Sequence, residues 1–230
     1  MSETISYGAG PEQFGVLRTP EGHEQQPLIV LIHGGFWRDQ YRLDLMDPLA
    51  EDLHRRGYAT WNIEYRRVGP TGGGWDTTTA DVAAAIDSID GPWKTTAVAG
   101  HSAGGHLALW NAGRPNPRRA ADWTFGLAPV ADVIAANRNG VGGDATANFV
   151  GGAVDDYPDR YVHIQPDLEA ATGRVVLIHG TADDNVPLEQ STAQRERVNE
   201  VHVLDGVDHF QVIDPTHETW ELVRAELAQL

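Results

Sequence analysis

Short apolar, β-branched runs along the chain end in glycine or a polar turn, and longer stretches with apolar residues three and four positions apart follow them. The short runs predict strands at 14–17, 27–33, 59–65, 95–99, 123–127, 174–179 and 200–204. The longer ones predict helices at 47–56, 78–89, 103–112, 188–198 and 215–230, each opening near Asp, Thr, Ser or Pro. Gly57, after Arg55 and Arg56, is a good helix stop. This strand-then-helix rhythm builds a mostly parallel sheet with helices on both faces, about seven strands wide. The chain reads as a single domain over 1–230. Residues 129–172, rich in Gly, Asp and Asn, are longer than a plain connection and are expected as a small excursion over the sheet edge, leaving little or no cap.

Composition narrows what such a fold does. With 41% hydrophobic and 22% charged residues the chain is globular. It holds no apolar run near the ~20 residues of a membrane helix, and its start lacks a leader's basic and apolar regions, so a soluble, cytoplasmic protein with no membrane partner is expected. The net charge of −16, with Lys94 the one lysine, argues against nucleic acid, whose phosphates demand a concentrated positive face. The Arg114, Arg118, Arg119 group is too small to supply one. Zero cysteines remove disulfides, thiolate metal sites and cysteine nucleophiles, so the chemistry must use oxygen or nitrogen.

Gly100-His101-Ser102-Ala103-Gly104-Gly105 stands directly after one predicted strand and before a predicted helix. A serine hydroxyl becomes a useful nucleophile when a sharp turn lifts it out of a sheet. Flanking glycines clear that turn, and the helix N-terminus favours a developing anion. Upstream, His33-Gly34-Gly35-Phe36-Trp37 ends another strand. Acyl transfer needs two backbone N–H donors facing the oxyanion, and Ala103 with Gly35 or Phe36 can supply them. His33 is read as a structural hydrogen-bonding residue.

Two late loops complete the set. Asp183 and His209 each follow a predicted strand, where an open α/β sheet places its functional loops. The order Ser102, Asp183, His209 matches nucleophile, acid and base. Asp184 is the second choice for the acid, Asp205 and Asp208 lie near the histidine, and His217 is the weaker base. From the residues alone Asp183 leads Asp184 only slightly.

Taken together, HGGFW, GHSAGGHLALW, HGTADDNVP and GVDHF resemble the α/β-hydrolase superfamily of serine hydrolases over most of the chain. Within it the sequence is similar to the small esterase and arylformamidase (kynurenine formamidase-like) branch, and its HGTADDNVP run resembles the catalytic domains of prolyl oligopeptidase-type peptidases. The resemblance implies an α/β-hydrolase fold, Ser102 as nucleophile, Asp183 as the acid, His209 as the base, and an oxyanion hole from Gly34, Gly35, Phe36 and Ala103. About 26 residues precede the HGG strand, so the propeller of such peptidases is not expected.

Other features receive plainer readings. The ten histidines include His101 and His106, but no HExxH pair or His-carboxylate set at metal spacing emerges, so neither metal nor organic cofactor is expected. Gly72-Gly73-Gly74 lacks the Gly-Lys-Ser/Thr ending of a phosphate loop. Among the aromatics Phe36, Trp37, Trp75, Phe149, Tyr157 and Phe210, the best substrate contacts are Trp37 and Phe210, beside the catalytic motifs. The expected activity is cleavage of a small ester or aryl formamide through an acyl-enzyme. The alternatives are a peptidase or acylaminoacyl-type hydrolase and a non-catalytic ligand-binding homologue.

Overall fold

The structure is a computed structural model that describes residues 1–21 and 27–230. The strands are β1 (Ser2–Ser6), β2 (Phe14–Arg18), β3 (Leu28–Ile32), β4 (Ala59–Ile63), β5 (Thr96–His101), β6 (Trp123–Leu127), β7 (Arg174–Gly180) and β8 (Glu200–Leu204). They form one sheet in the order β1-β2-β4-β3-β5-β6-β7-β8. The pairs β1/β2 and β2/β4 are antiparallel, and all others are parallel. The sheet is thus eight strands wide rather than about seven. The added strand, SETIS, lies at the edge with almost every residue exposed, so it carries no apolar alternation by which to be read.

The helices are α1 (Asp47–Arg55), α2 (Trp75–Ser88), α3 (Ala103–Gly113), α4 (Val133–Arg138), α5 (Ala145–Val150), α6 (Pro158–Ile164), α7 (Glu189–Thr192) and α8 (Trp220–Leu227). They cover both faces of the sheet, which is why β3 reads LIVLI and is buried along its whole length. Leu28, Val30 and Ile32 join the core under α2 and α3, with Val82, Ile86, Leu107 and Ala108. Ile29 and Leu31 point the other way, into the core of α1 and α8, with Leu49, Leu53, Trp220 and Val223.

Three expectations need correction. Residues 129–172 do not ride over the sheet edge. Their helices α4 to α6 bury Val133, Ala136, Phe149, Val150, Tyr161 and Ile164 in the same core as α2 and α3. The 188–198 segment is helical only over α7, whose Gln190 and Ser191 turn inward to hydrogen-bond the Asp132 N–H and His179. The chain beyond tightens into turns such as Gln194 N–H to Ser191 O. Near the C-terminus, Asp214 captures the Thr216 N–H and hydroxyl in a local turn, so α8 starts at Trp220 rather than 215.

Candidate active site

Parallel packing brings the loops after β3, β5, β7 and β8 to the carboxyl edge of the sheet, where open α/β sheets carry their sites. Ser102 occupies the turn from β5 into α3 at φ 57°, ψ −119°, a region non-glycine residues rarely visit. Its N–H donates to Leu127 O, and its carbonyl accepts from Val130 and His106. The turn fits because a Cβ at Gly104 would lie 2.2 Å from Ile32 O and 2.4 Å from His33 O, so only glycine lets α3 approach β3 this closely.

The Asp183 side chain is fully buried, and its Oδ2 accepts from His209 Nδ1 at 2.6 Å. Oδ1 accepts from the backbone N–H of Asn185 (2.9 Å) and Val186 (2.8 Å). Burial alone would raise this carboxyl, but hydrogen bonds from His179, His209 and the Val186 N–H outweigh it and hold Asp183 well below the usual carboxylate range. Asp183 therefore stays ionised beside the imidazole. His101 supports the histidine from behind. Burial, then the proximity of His209, push His101 down to about 3, so its neutral ring donates from Nε2 to the His209 carbonyl at 2.8 Å. The other candidates lie elsewhere. Asp184 is exposed, Asp205 accepts from Thr181, Asp208 caps its own turn, and His217 bonds Thr219.

Ser102 and His209 border one small pocket of about 40 Å³, walled by Gly35, Phe36, Tyr41, Leu45, Asn185 and Phe210. Phe210 is half exposed at its mouth, with its ring edge-on to His209 at 5.2 Å. Gly34 lies against the serine, since a Cβ there would fall 2.9 Å from Ser102 Cβ. Gly35, Phe36 and Trp37 all have positive φ (107°, 52°, 57°), coiling the loop tightly. Among the described residues, the N–H groups of Gly34, Gly35, Phe36 and Ala103 make no backbone hydrogen bond. A wider, open groove of about 640 Å³ along Arg174, Arg197 and Asn199 has none of these residues on its border.

Trp37 is a correction. It is fully buried, stacked on Phe149 at 4.7 Å and 9°, with its edge to His106 at 5.4 Å. The left-handed backbone at 36 and 37 turns the second aromatic side chain into the core and leaves Phe36 to wall the pocket. Trp75, Phe149 and Tyr157 likewise stand away from it.

Several participants have no motif to announce them. Tyr41 and Asn185 reach the pocket from loops, and Leu45 from the short 3-10 helix Leu43–Met46. Glu64 is fully buried below the 34–37 loop, where it pairs with Arg67, lies 3.0 Å from His33 Nε2 and accepts the N–H of Leu43 and Tyr65. A charged EYRR run at the end of an apolar strand was the available signal. His33 is fully buried and stacked on Tyr65 at 4.4 Å, in a structural position. The expected absence of a His-carboxylate set is also corrected. Glu200 and His202 on β8 meet Glu226 on α8, with one ligand atom of each within 4.8 Å of the others. His202 Nε2 is already 3.0 Å from Glu200 and 3.2 Å from Glu226, and Arg174 pairs with Glu200. Among the described residues, no helix is long and apolar enough to cross a membrane.

A strained serine between a parallel strand and a helix, followed two and three strands later by a buried acid and its hydrogen-bonded histidine, defines the α/β-hydrolase fold. The chain belongs to the BD-FAE family, which it matches over residues 16–198. Solved structures of the same fold include a bifunctional GH43-CE protein of Bacteroides eggerthii (TM-score 0.82, 19% identity over 99% of this chain), of which the chain spans 38%. Esterase B of Lactobacillus rhamnosis superposes with TM-score 0.82 at 20% identity, over 100% of this chain and 84% of that one. A thermophilic esterase of Thermogutta terrifontis does so at 0.76 and 19%, over 99% and 92%. No curated protein sequence matches the chain significantly.

Proposed function

We propose that the chain is a serine hydrolase that cleaves small carboxylic esters through a covalent acyl-enzyme. The observation that carries this reading is the 2.6 Å bond from His209 to buried, ionised Asp183, in a histidine that shares one pocket with strained Ser102. In the first half-reaction, Ser102 Oγ attacks the ester carbonyl while His209 Nε2 takes the hydroxyl proton, and Asp183 steadies the imidazolium. The Phe36 and Ala103 N–H groups hold the oxyanion. Collapse expels the alcohol, which receives the proton from His209. Water then attacks the acyl-enzyme with His209 again as base, releasing the acid and restoring Ser102. This chemistry calls for no metal or organic cofactor.

The substrate class follows from the pocket. Its small size and the rings of Phe36, Tyr41 and Phe210 suit a short acyl group with a flat leaving group. An aryl formamide, with the smallest acyl group and an aromatic amine, fits the same description and is the second substrate class we include. The family match and the fold shared with esterases support the ester reading, and a form of the Lactobacillus esterase B is inhibited by a tributyrin phosphonate. The proposal places the protein in the cytoplasm, acting on a dissolved small molecule. A matched panel of acetyl, butyryl and long-chain aryl esters, an N-formyl aryl amine and a peptide amide tests it. Turnover is expected to be highest on short aryl esters and to fall with acyl length. Preference for the peptide, or for long chains, would overturn the substrate assignment.

A further inference from the structure

His179 is fully buried at the end of β7 and has no part in the proton transfers above. Its Nε2 lies 3.1 Å from Asp183 Oδ2, the same oxygen that receives His209, and 2.9 Å from Val186 O. Both neighbours are acceptors, so Nε2 carries a proton, directed at Val186 O with Asp183 Oδ2 alongside. Nδ1 lies 2.8 Å from the hydroxyl of Ser191 in α7, which is also fully buried. Ser191, His179, Asp183 and His209 thus form one continuous line of polar contacts from α7 to the pocket, with hydrogen bonds at its two ends and the 3.1 Å approach of His179 Nε2 to Asp183 Oδ2 between them.

We infer that His179 is a positioning residue for the triad acid, and that its N–H, polarised by Ser191, sets how strongly Asp183 holds the proton on His209. This inference rests on the hydrolase reading above. The backbone N–H groups of Asn185 and Val186 occupy Oδ1, so two donors fix that side of the carboxylate and the His179 N–H stands against Oδ2 before His209 is counted. A donor on Oδ2 also withdraws negative charge from the atom that faces the imidazole. Without it, Oδ2 is more basic, the imidazolium is better stabilised, and neutral His209 appears only at higher pH. The other titratable ring facing the pair is His101, with its centroid 4.5 Å from that of His209, and it is neutral. A staple that merely held the loop would affect the amount of active enzyme and leave the pH profile in place. Ser191 acts in the same direction at one remove, because a hydroxyl donating to Nδ1 strengthens the opposite N–H as a donor.

The test is the pH profile of kcat/KM on a short aryl ester for the wild type, His179→Leu, His179→Gln and Ser191→Ala, each first titrated with a fluorophosphonate to count active serines. For His179→Leu, kcat falls about tenfold with KM little changed, and the acid limb moves to higher pH by roughly half to one unit. Glutamine places an amide N–H close to the Nε2 position and restores the limb. Ser191→Ala shifts the limb in the same direction by less, and supplies the result should His179→Leu not fold. An unmoved limb in Ser191→Ala and in any folded His179→Leu, with the wild type labelled, overturns this inference and leaves the hydrolase reading standing. A limb that glutamine fails to restore also overturns it. A wild type that the fluorophosphonate does not label overturns both.

Discussion

Replacing Trp37 with alanine separates a core residue from a pocket wall. The side chain has no exposed surface, lies nearly parallel to Phe149 at 4.7 Å and meets His106 edge-on. Its Nε1 has no hydrogen-bond partner, so the loss is one of packing alone. Truncating a buried tryptophan costs about 3–5 kcal/mol, the sum of lost apolar transfer and the cavity left behind. At about 2–4 °C per kcal/mol for a domain of this size, the melting temperature should fall by roughly 6–20 °C. The cavity would lie beneath the loop that carries the Phe36 N–H, so the surviving folded enzyme should lose kcat/KM on acetyl and aryl esters by similar factors. Thermal unfolding by circular dichroism, with kinetics well below the new midpoint, measures both. An unchanged melting temperature with a loss confined to aryl substrates would refute the packing argument and return Trp37 to the pocket.

Asp183→Asn should lower kcat by about 10⁴, since the amide no longer favours the tautomer or stabilises the imidazolium, while Asp184→Asn, on the surface, stays within a few-fold of wild type. Comparable losses in steady-state kinetics would move the acid. The depressed carboxyl of Asp183 also makes a stability prediction with a definite sign. A group whose folded value lies below its unfolded value of about 3.9 contributes stability above that pH and loses it as pH falls toward the folded value. The melting-temperature advantage of wild type over Asp183→Asn should therefore be constant near neutrality and shrink below about pH 4, as scanning calorimetry from pH 6 to 3 would record.

The elements visible in the sequence are those whose local chemistry is repetitive or costly. A strand buried on both faces, such as LIVLI, can hardly read otherwise, and Gly104 survives no substitution that carries a Cβ. The edge strand SETIS is invisible because its hydrogen bonds to β2, rather than any apolar pattern, hold it in place. Trp37 was misplaced because adjacency in HGGFW says nothing of direction, and positive φ at both 36 and 37 decides which ring enters the core. His179 and Glu64 serve the site through partners distant in the chain or hidden beneath it, and no spacing rule links Ser191 to Asp183. The Glu200, His202, Glu226 group was missed for the same reason, since α8 delivers its third member from across the fold.

The central claim is that Ser102 becomes acylated, and intact-protein mass spectrometry after exposure to a fluorophosphonate tests it most directly. The account predicts one adduct on the wild type, mapped by peptide sequencing to Ser102, and none on a folded Ser102→Ala, whose esterase turnover drops by ~10³-fold or more. An adduct that persists in Ser102→Ala, or wild-type turnover that the alanine variant retains, would contradict it.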